Sequence, residues 1–396
     1  MSSLARGAQK LVATILAALL GTAALAGCGS SAPAGTGRST AGSGDALARS
    51  ATIDKAVSDA FHGSTFRRPA EGSPAAVPGK TVWLISAGLG IPETVDYAQH
   101  FRAAAKALGW NARVYDGKFE PNEQLTGVRG AVQAKVDAIL LYAIDCAPVR
   151  AGLEQARRAG IVIVGSESAD CDRVTPPGPH LFSGETRYTQ GDLFAWERFI
   201  GRLQADYVLW KTKGAAEVVV LDETDSALTR LNYEGFAAEM KAQCPACASH
   251  PVEITGADIG PALQQKVRQA LLRYPRANAF VAPYDGLMTG GAAGAIRASG
   301  RNDRILSVAG VGQPSAISLI RSDGGLDAGY GVPLGWEAYD SMDIINRIFA
   351  KAKLRPSGIG LSLYDAGEGL PAKGKGYVPP IDYVSAYEAA WAGGSR

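Results

Sequence analysis

Thr81-Val82-Trp83-Leu84-Ile85 is a short, β-rich apolar run that ends in Ser86-Ala87-Gly88-Leu89-Gly90, and a helical pattern starts directly behind it. A run without polar alternation reads as a strand buried on both faces. Pro92 suits a first helical turn and Glu93 favours the positive start of a helix. Val95, Ala98, Phe101, Ala105 and Leu108 then recur at helical spacing, and Gly109 ends the helix. Gly79 to Trp110 is therefore a strand-loop-helix unit whose loop lies at the carboxyl end of the strand. In open parallel sheets that edge is where ligands bind.

The same alternation continues along the chain. Strands are expected at Ala112–Tyr115, Asp137–Tyr142 and Ile161–Val164, with helices at Glu120–Ala134 and Pro148–Ala159. After Pro176-Pro177-Gly178-Pro179 a second series begins with a long helix over Thr186–Lys211. Strands follow at Glu217–Leu221, Pro251–Ile254, Ala279–Ala282, Ile305–Val308 and Ala328–Val332. Helices are expected between them at Leu228–Lys241, Pro261–Arg273, Leu287–Ala298 and Pro314–Arg321, and after them at Pro333–Lys351, before an irregular glycine-rich tail. Such alternation calls for βαβ units, so the fold class is α/β with two doubly wound parallel-sheet lobes and a binding cleft between them. A chain of 396 residues exceeds one ordinary core, which agrees with two lobes.

The amino terminus reads as a processing signal. Arg6 and Lys10 form a basic region, and Leu11 to Leu20 is an apolar segment too short to span a membrane as an ordinary helix. It ends in Leu25-Ala26-Gly27-Cys28, which resembles a bacterial lipoprotein box and implies cleavage before Cys28 and lipid on its thiol. Residues 1–28 are thus a signal peptide. Gly29 to Gly44 is small, polar and aperiodic and reads as a flexible tether, within an extension that runs to residue 78. Asp45 to Phe61 is a candidate helix on the outside of the body.

Formal net charge is +2 with no long basic run, which makes nucleic acid a poor partner. Export permits disulfides. Cys244 and Cys247 read as a local structural bridge in Cys-Pro-Ala-Cys, with a redox pair as the alternative. Cys146 and Cys171 each follow an expected strand and can meet at one sheet edge.

No catalytic constellation emerges. His62, His100, His180 and His250 are scattered without metal-ligand spacing, and neither a P-loop nor a nucleophile elbow is present. Gly88-Leu89-Gly90 lacks the third glycine of a dinucleotide fingerprint, and Glu93 would repel a pyrophosphate there. Neither a cofactor nor a metal is called for. Asp222, Glu223 and Asp225 follow a strand and read either as solvated or ligand-bonding carboxylates, or as an acid/base or metal group. The loops expected at strand ends carry Leu89, Glu93, Thr94, Asp145, Glu167, Asp225, Arg230, Asp285, Tyr284, Gly312 and Val332. Few polar groups among apolar and aromatic ones suit a small-molecule pocket.

Ala103–Trp110 (AAAKALGW), Lys135–Asp145 (KVDAILLYAID), Ala156–Val164 (ARRAGIVIV), Arg230–Phe236 (RLNYEGF) and Ala279–Asp285 (AFVAPYD) stand in an order that resembles the type I periplasmic binding proteins, in the branch of the ribose-binding protein. The resemblance covers roughly Gly79 to Lys353. It implies two lobes joined by a three-stranded hinge: 79–183 plus 333–356, and 184–332 plus 357–392. It places Arg230 on the arginine that hydrogen-bonds the sugar, and Glu167 on a sugar-binding aspartate. Ser168, Asp258 and Asp285 complete the set of residues expected to bind the ligand. Where the family has stacking aromatics, this chain has Glu93 and Thr94; its arginine is Ser168, its asparagine Tyr284, its aspartate Gly312 and its hinge glutamine Val332. A free monosaccharide needs hydrogen bonds at nearly every hydroxyl and an apolar ring face to stack, so these departures argue against ribose and for a larger or less polar metabolite.

The resulting expectation is a monomeric, extracytoplasmic solute receptor, anchored to the membrane by lipid on Cys28, which closes on a small molecule and presents it to an ABC permease. Two alternatives remain: a sensor lipoprotein that offers its closed form to a membrane receptor, and an exported enzyme using Asp222, Glu223 and Asp225. A DNA-binding regulator of the same fold would need a helix-turn-helix where this chain has its signal segment.

Overall fold

Apolar strands covered on both sides by helices need two faces to bury, and the chain supplies them twice. The computed structural model describes residues 41–69 and 72–393; the signal segment, Cys28 and residues 29–40 of the expected tether lie outside the described residues. Helix α1 (Ala41–Phe61) begins four residues before the expected Asp45, so the tether reading does not extend over 41–44. The first lobe follows with β1 (Thr81–Ser86), α2 (Pro92–Leu108), β2 (Asn111–Asp116), α3 (Pro121–Gln133), β3 (Ala138–Tyr142), α4 (Cys146–Arg158), β4 (Val162–Ser166) and β5 (Gly184–Glu185). The second lobe contains α5 (Leu193–Thr212), β6 (Glu217–Glu223), α6 (Ala227–Gln243), β7 (Ala248–Ile254), α7 (Pro261–Arg273), β8 (Ala279–Val281), α8 (Asp285–Leu287), α9 (Ala293–Ala298), β9 (Leu306–Val311), α10 (Pro314–Arg321) and β10 (Ala328–Gly331). The chain then returns to the first lobe with α11 (Leu334–Phe349), pairs β11 (Ser362–Asp365) into the second sheet, and ends in α12 (Tyr383–Trp391). Asp45–Arg396 forms one compact unit.

The two sheets share one topology. The first has the order β2-β1-β3-β4-β5 and is parallel throughout; the second has the order β11-β10-β9-β8-β6-β7 and is parallel except for β11. In each sheet the strand order reverses at one point, between β1 and β3 and between β6 and β8, and the crevice at such a point is where doubly wound sheets take ligands. Helices α2, α3, α7 and α10 all open with proline at the first turn, where its missing N–H costs nothing. One core face of the first sheet holds Ile85, Ile139, Leu141, Val149 and Leu153, and the other holds Leu84, Leu140, Phe101 and Met342. The second sheet is likewise covered on both faces.

Several expectations need correction. The helix expected from Thr186 starts at Leu193, because Asp192 caps it by accepting from the Ala195 N–H, and the preceding residues form a crossover between lobes. In that crossover Ser357 N–H donates to Arg187 O and Thr189 N–H to Ile359 O, which ties two of the three connecting segments together. The helix expected over Leu287–Ala298 is interrupted at Gly291, whose φ of 150° no regular helix holds. Val95, expected on the inner face of α2, is 38% exposed; Tyr97 is buried there instead. The tail is not irregular throughout, since it contains β11 and α12. Residues 357–392 are expected in the second lobe, yet α12 packs on α2 and α11 of the first, with Trp391 stacked on Tyr339. Cys146 is joined to Cys171 and Cys244 to Cys247.

Candidate functional site

The two reversal points face each other across a cavity of about 700 Å³. From the first lobe it is lined by the loop after β1 and the start of α2 (Ala87, Ile91, Glu93, Thr94), by Phe119, and by the loops after β3 and β4 (Ala143–Asp145, Glu167). From the second come the first turns of α5 (Phe194, Trp196, Glu197), the loop after β6 and start of α6 (Glu223–Leu231), and Tyr284, Val311 and Tyr330. Backbone strain collects at this rim: Ala143, Glu167 and Val311 hold φ of 54°, 50° and 103°, in the left-handed region that side chains other than glycine seldom adopt.

The lobes are closed on each other. Asp145 Oδ2 accepts from the Ala227 N–H at 2.8 Å, so a carboxylate of the first lobe caps helix α6 of the second, while its Oδ1 accepts from Ala169 N–H at 3.0 Å. Both the orphan N–H and the helix dipole favour an anion at that place. Glu93 likewise reaches Gly286 of the second lobe, although neither of its oxygens makes a well-formed hydrogen bond.

The electrostatics are one-sided. Burial pushes the Glu93 and Glu167 carboxyls up to about 7 and Glu223 to about 8; burial first, and Glu167 second, raise Glu197 as well. Glu337, on α11, sits beside Glu167 and is raised by burial and then by the Glu167 and Glu197 charges. The arginines at the cavity all have carboxylate partners: Arg173 with Asp192 at 3.0 Å, Arg198 with Glu234 at 2.8 Å and Arg230 with Asp222 at 3.3 Å.

Of the residues singled out from sequence, Glu93, Thr94, Asp145, Glu167, Asp225, Arg230, Tyr284 and Val332 line the cavity. Arg230 does so with a side chain 44% exposed and turned toward Asp222. Five others do not line it. Leu89 N–H is held by Asp116 Oδ1, and Ser168 is buried between Ser166 O and Ile144 N–H. Asp258 closes a capping box with Thr255 and pairs with Lys266 at 2.8 Å. Asp285 is buried behind the wall, accepting from Gly312 and Gln313 N–H at 2.7 Å each, and so fixes the Gly312 turn rather than a ligand. Sequence reading missed Trp196, Glu197 and Tyr142. Trp196 and Glu197 sit in what read as the middle of a longer helix, and Glu223 stood undistinguished among three acids.

A family model described as a periplasmic binding protein domain matches residues 85–353. Among solved structures the chain is similar to a periplasmic solute-binding protein of an ABC transporter from Actinobacillus succinogenes 130z with bound D-allose, at 17% identity and TM-score 0.62, covering 74% of this chain and 98% of that one. It is similar to an ABC sugar transporter subunit from Rhodobacter sphaeroides 2.4.1 at 19% identity and TM-score 0.62, covering 73% and 99%. It is also similar to a fructose-binding periplasmic domain of a hybrid two-component system, at 16% identity and TM-score 0.62, covering 73% and 91%. A comparison with curated proteins gives no match.

Proposed function

Because this chain belongs to the periplasmic binding protein domain family, we propose that it is an extracytoplasmic solute-binding protein that captures a small metabolite between its lobes and delivers it to an ABC importer. The observation that carries this is the cavity of about 700 Å³ enclosed by the two strand-order reversals, with Asp145 bridging to α6 across it. A ligand closes such a protein only through its preference for the closed state, so recognition must use groups from both lobes, and both lobes supply them here. The D-allose bound to one similar protein and the sugar transport of another support a polyhydroxylated or less polar metabolite of that size. Leu25-Ala26-Gly27-Cys28 supports a lipid anchor on Cys28, with residues 29–40 as the tether. Among the described residues no helix is long and apolar enough to cross a membrane. Binding without turnover, as a monomer and without a cofactor, is part of this reading.

The test is a thermal-shift screen of sugars, sugar alcohols, amines and amino sugars. A ligand at a hundred times its Kd adds about 2.7 kcal/mol of stability. If no small molecule shifts the melting temperature, the receptor reading fails. The likeness to a periplasmic domain of a two-component system favours one second reading, a sensor that hands its closed form to a membrane receptor. Co-purification of the ligand-bound protein with a permease supports the first, and with a kinase ectodomain the second.

A further inference from the structure

Resting on the solute-receptor reading, we infer that the ligand carries a protonated amine, held by the carboxylates of Glu93 and Glu167 from one lobe and Glu197 and Glu223 from the other. All four line one cavity. Among the described residues none of the four has a lysine, arginine or histidine within ion-pair distance, and the cavity's three arginines are engaged by Asp192, Glu234 and Asp222. Glu93 is only 4% exposed, yet neither oxygen makes a well-formed hydrogen bond. A buried carboxylate without a partner is costly, and the missing partner is a donor.

Many of the cavity's side-chain donors are already committed. Thr94 Oγ1 donates to Ile91 O, Thr224 Oγ1 to Ile254 O, Thr229 Oγ1 to Glu223 O and Gln124 Nε2 to Ala87 O. Tyr284 donates to Glu223 at 3.3 Å and Tyr330 to Pro283 O. What faces the ligand is therefore rich in acceptors and poor in donors. A neutral polyol offers acceptors as well as donors and would leave its own oxygens unmatched. An ammonium offers three donors and no acceptor. Tyr142, Trp196, Tyr284 and Tyr330 also line the cavity, and aromatic rings attract a cation.

Closure gives the same answer. It brings the Glu167 charge of one lobe near enough to Glu197 of the other to raise the proton affinity of Glu197. Like charges oppose the closed state, whereas a cation between them favours it, which is the differential affinity that closure requires. A bare divalent ion is a poorer match. Among the described residues the triplets of acidic, histidine or cysteine ligand atoms within 4.8 Å of one another are Cys146, Asp170, Cys171 and Asp170, Asp172, His180, and neither lines the cavity.

The experiment measures affinity by calorimetry for matched pairs that differ in one group: D-glucosamine against D-glucose, and 1-amino-1-deoxysorbitol against sorbitol, with 1,4-diaminobutane and Ca²⁺ alone alongside. At least one amine is expected to bind ten times or more tightly than its hydroxyl counterpart. In Glu93→Gln and Glu223→Gln, whose shape is kept, that ratio should fall toward one. Hydroxyl members that bind as tightly as their amines overturn the amine inference and leave the receptor reading standing. Ca²⁺ alone saturating the protein overturns it in favour of a metal. If nothing in the panel binds, the inference falls, and the broad thermal-shift screen decides the receptor reading separately.

Discussion

At the scale of the residue, the site is defined by carboxyl groups whose charge the protein does little to neutralise. Glu93 faces the Asp96 charge on its own helix and Asp285 of the second lobe, with only backbone N–H groups as offset. Its carboxyl titrates at about 7 in the folded, ligand-free protein against 4.5 when unfolded, and Glu223 at about 8. Between those values the folded state holds protons that the unfolded chain has released. Stability of the empty protein therefore falls as pH rises from about 4.5 to about 8 and is fully present below that window. Glu93→Gln removes one such penalty. At pH 8 the variant should be more stable than the parent by about 2 kcal/mol, and at pH 4.5 equal to it, as read from denaturant unfolding at the two pH values. An unchanged pH slope would show that Glu93 is solvated rather than buried and unpaired. The opposite case is Asp145, whose oxygens both receive backbone N–H groups, one from each lobe. Asp145→Ala removes a charge-assisted bond that exists only when the lobes are closed. It should weaken binding of whichever compound stabilises the parent by about tenfold, on the scale of a hydrogen bond to a charged group. Calorimetry giving equal affinities would detach Asp145 from closure.

At the scale of the element, α5 and α6 hold the second lobe's half of the site, and they do so by close approach. A methyl at Gly201 would sit inside contact distance of the Asn232 backbone oxygen, and one at Gly235 would strike the Arg198 carbonyl. The two glycines let the helix backbones touch, which fixes Trp196 and Glu197 on α5 relative to Ala227–Arg230 on α6. Gly201→Ala should cost about 2–3 kcal/mol in thermal unfolding, because the obstacle is backbone and cannot rotate away. A variant as stable as the parent would mean that the helices separate freely. Such contacts also mark what the sequence makes legible. The periods of β1, β3, β4 and β6 and the prolines at the starts of α2, α3, α7 and α10 are local signals, and the sheets follow from them. Glu93, Asp145 and Glu167 were found because they stand at strand ends. Glu197 was not, since an acid within a helical pattern is ordinary until tertiary structure turns that face into a cleft. Asp285 and Asp258 stood in the right loops, but their partners, the Gly312 and Gln313 N–H groups and Lys266, are decided by packing that no local pattern records.

At the scale of the whole molecule, the segment before β1 and helix α12 are both fastened to α11. Phe61 of α1 packs against Tyr207 and Trp210 of the second lobe, at ring separations of 6.2 and 6.3 Å. The chain then runs along the crossover, where Arg67 N–H donates to Gly358 O, and Phe66 stacks on Trp336 at 5.9 Å. It reaches α11 where Ser73 donates to Asp343 Oδ2 at 3.0 Å and Val77 N–H to Asn346 Oδ1 at 3.0 Å. From the other end, Trp391 Nε1 donates to Asp343 Oδ1 at 2.9 Å. Asp343 is thus the common anchor, and its charge is balanced by Arg347 at 2.6 Å, with both side chains about 3% exposed or less. Removing one partner of a buried pair leaves the other charge stranded, which is worse than removing both. Asp343→Ala should therefore lower stability by about 3–5 kcal/mol, while the double substitution Asp343→Leu with Arg347→Met should recover most of that loss. Scanning calorimetry of the three proteins decides it, and a double variant as unstable as the single one would mean that the anchoring of Ser73 and Trp391, rather than the stranded charge, carries the energy. Neither residue lines the cavity. Ligand affinity measured well below the unfolding transition should therefore be the same in the double variant as in the parent, separating what holds the molecule together from what it binds.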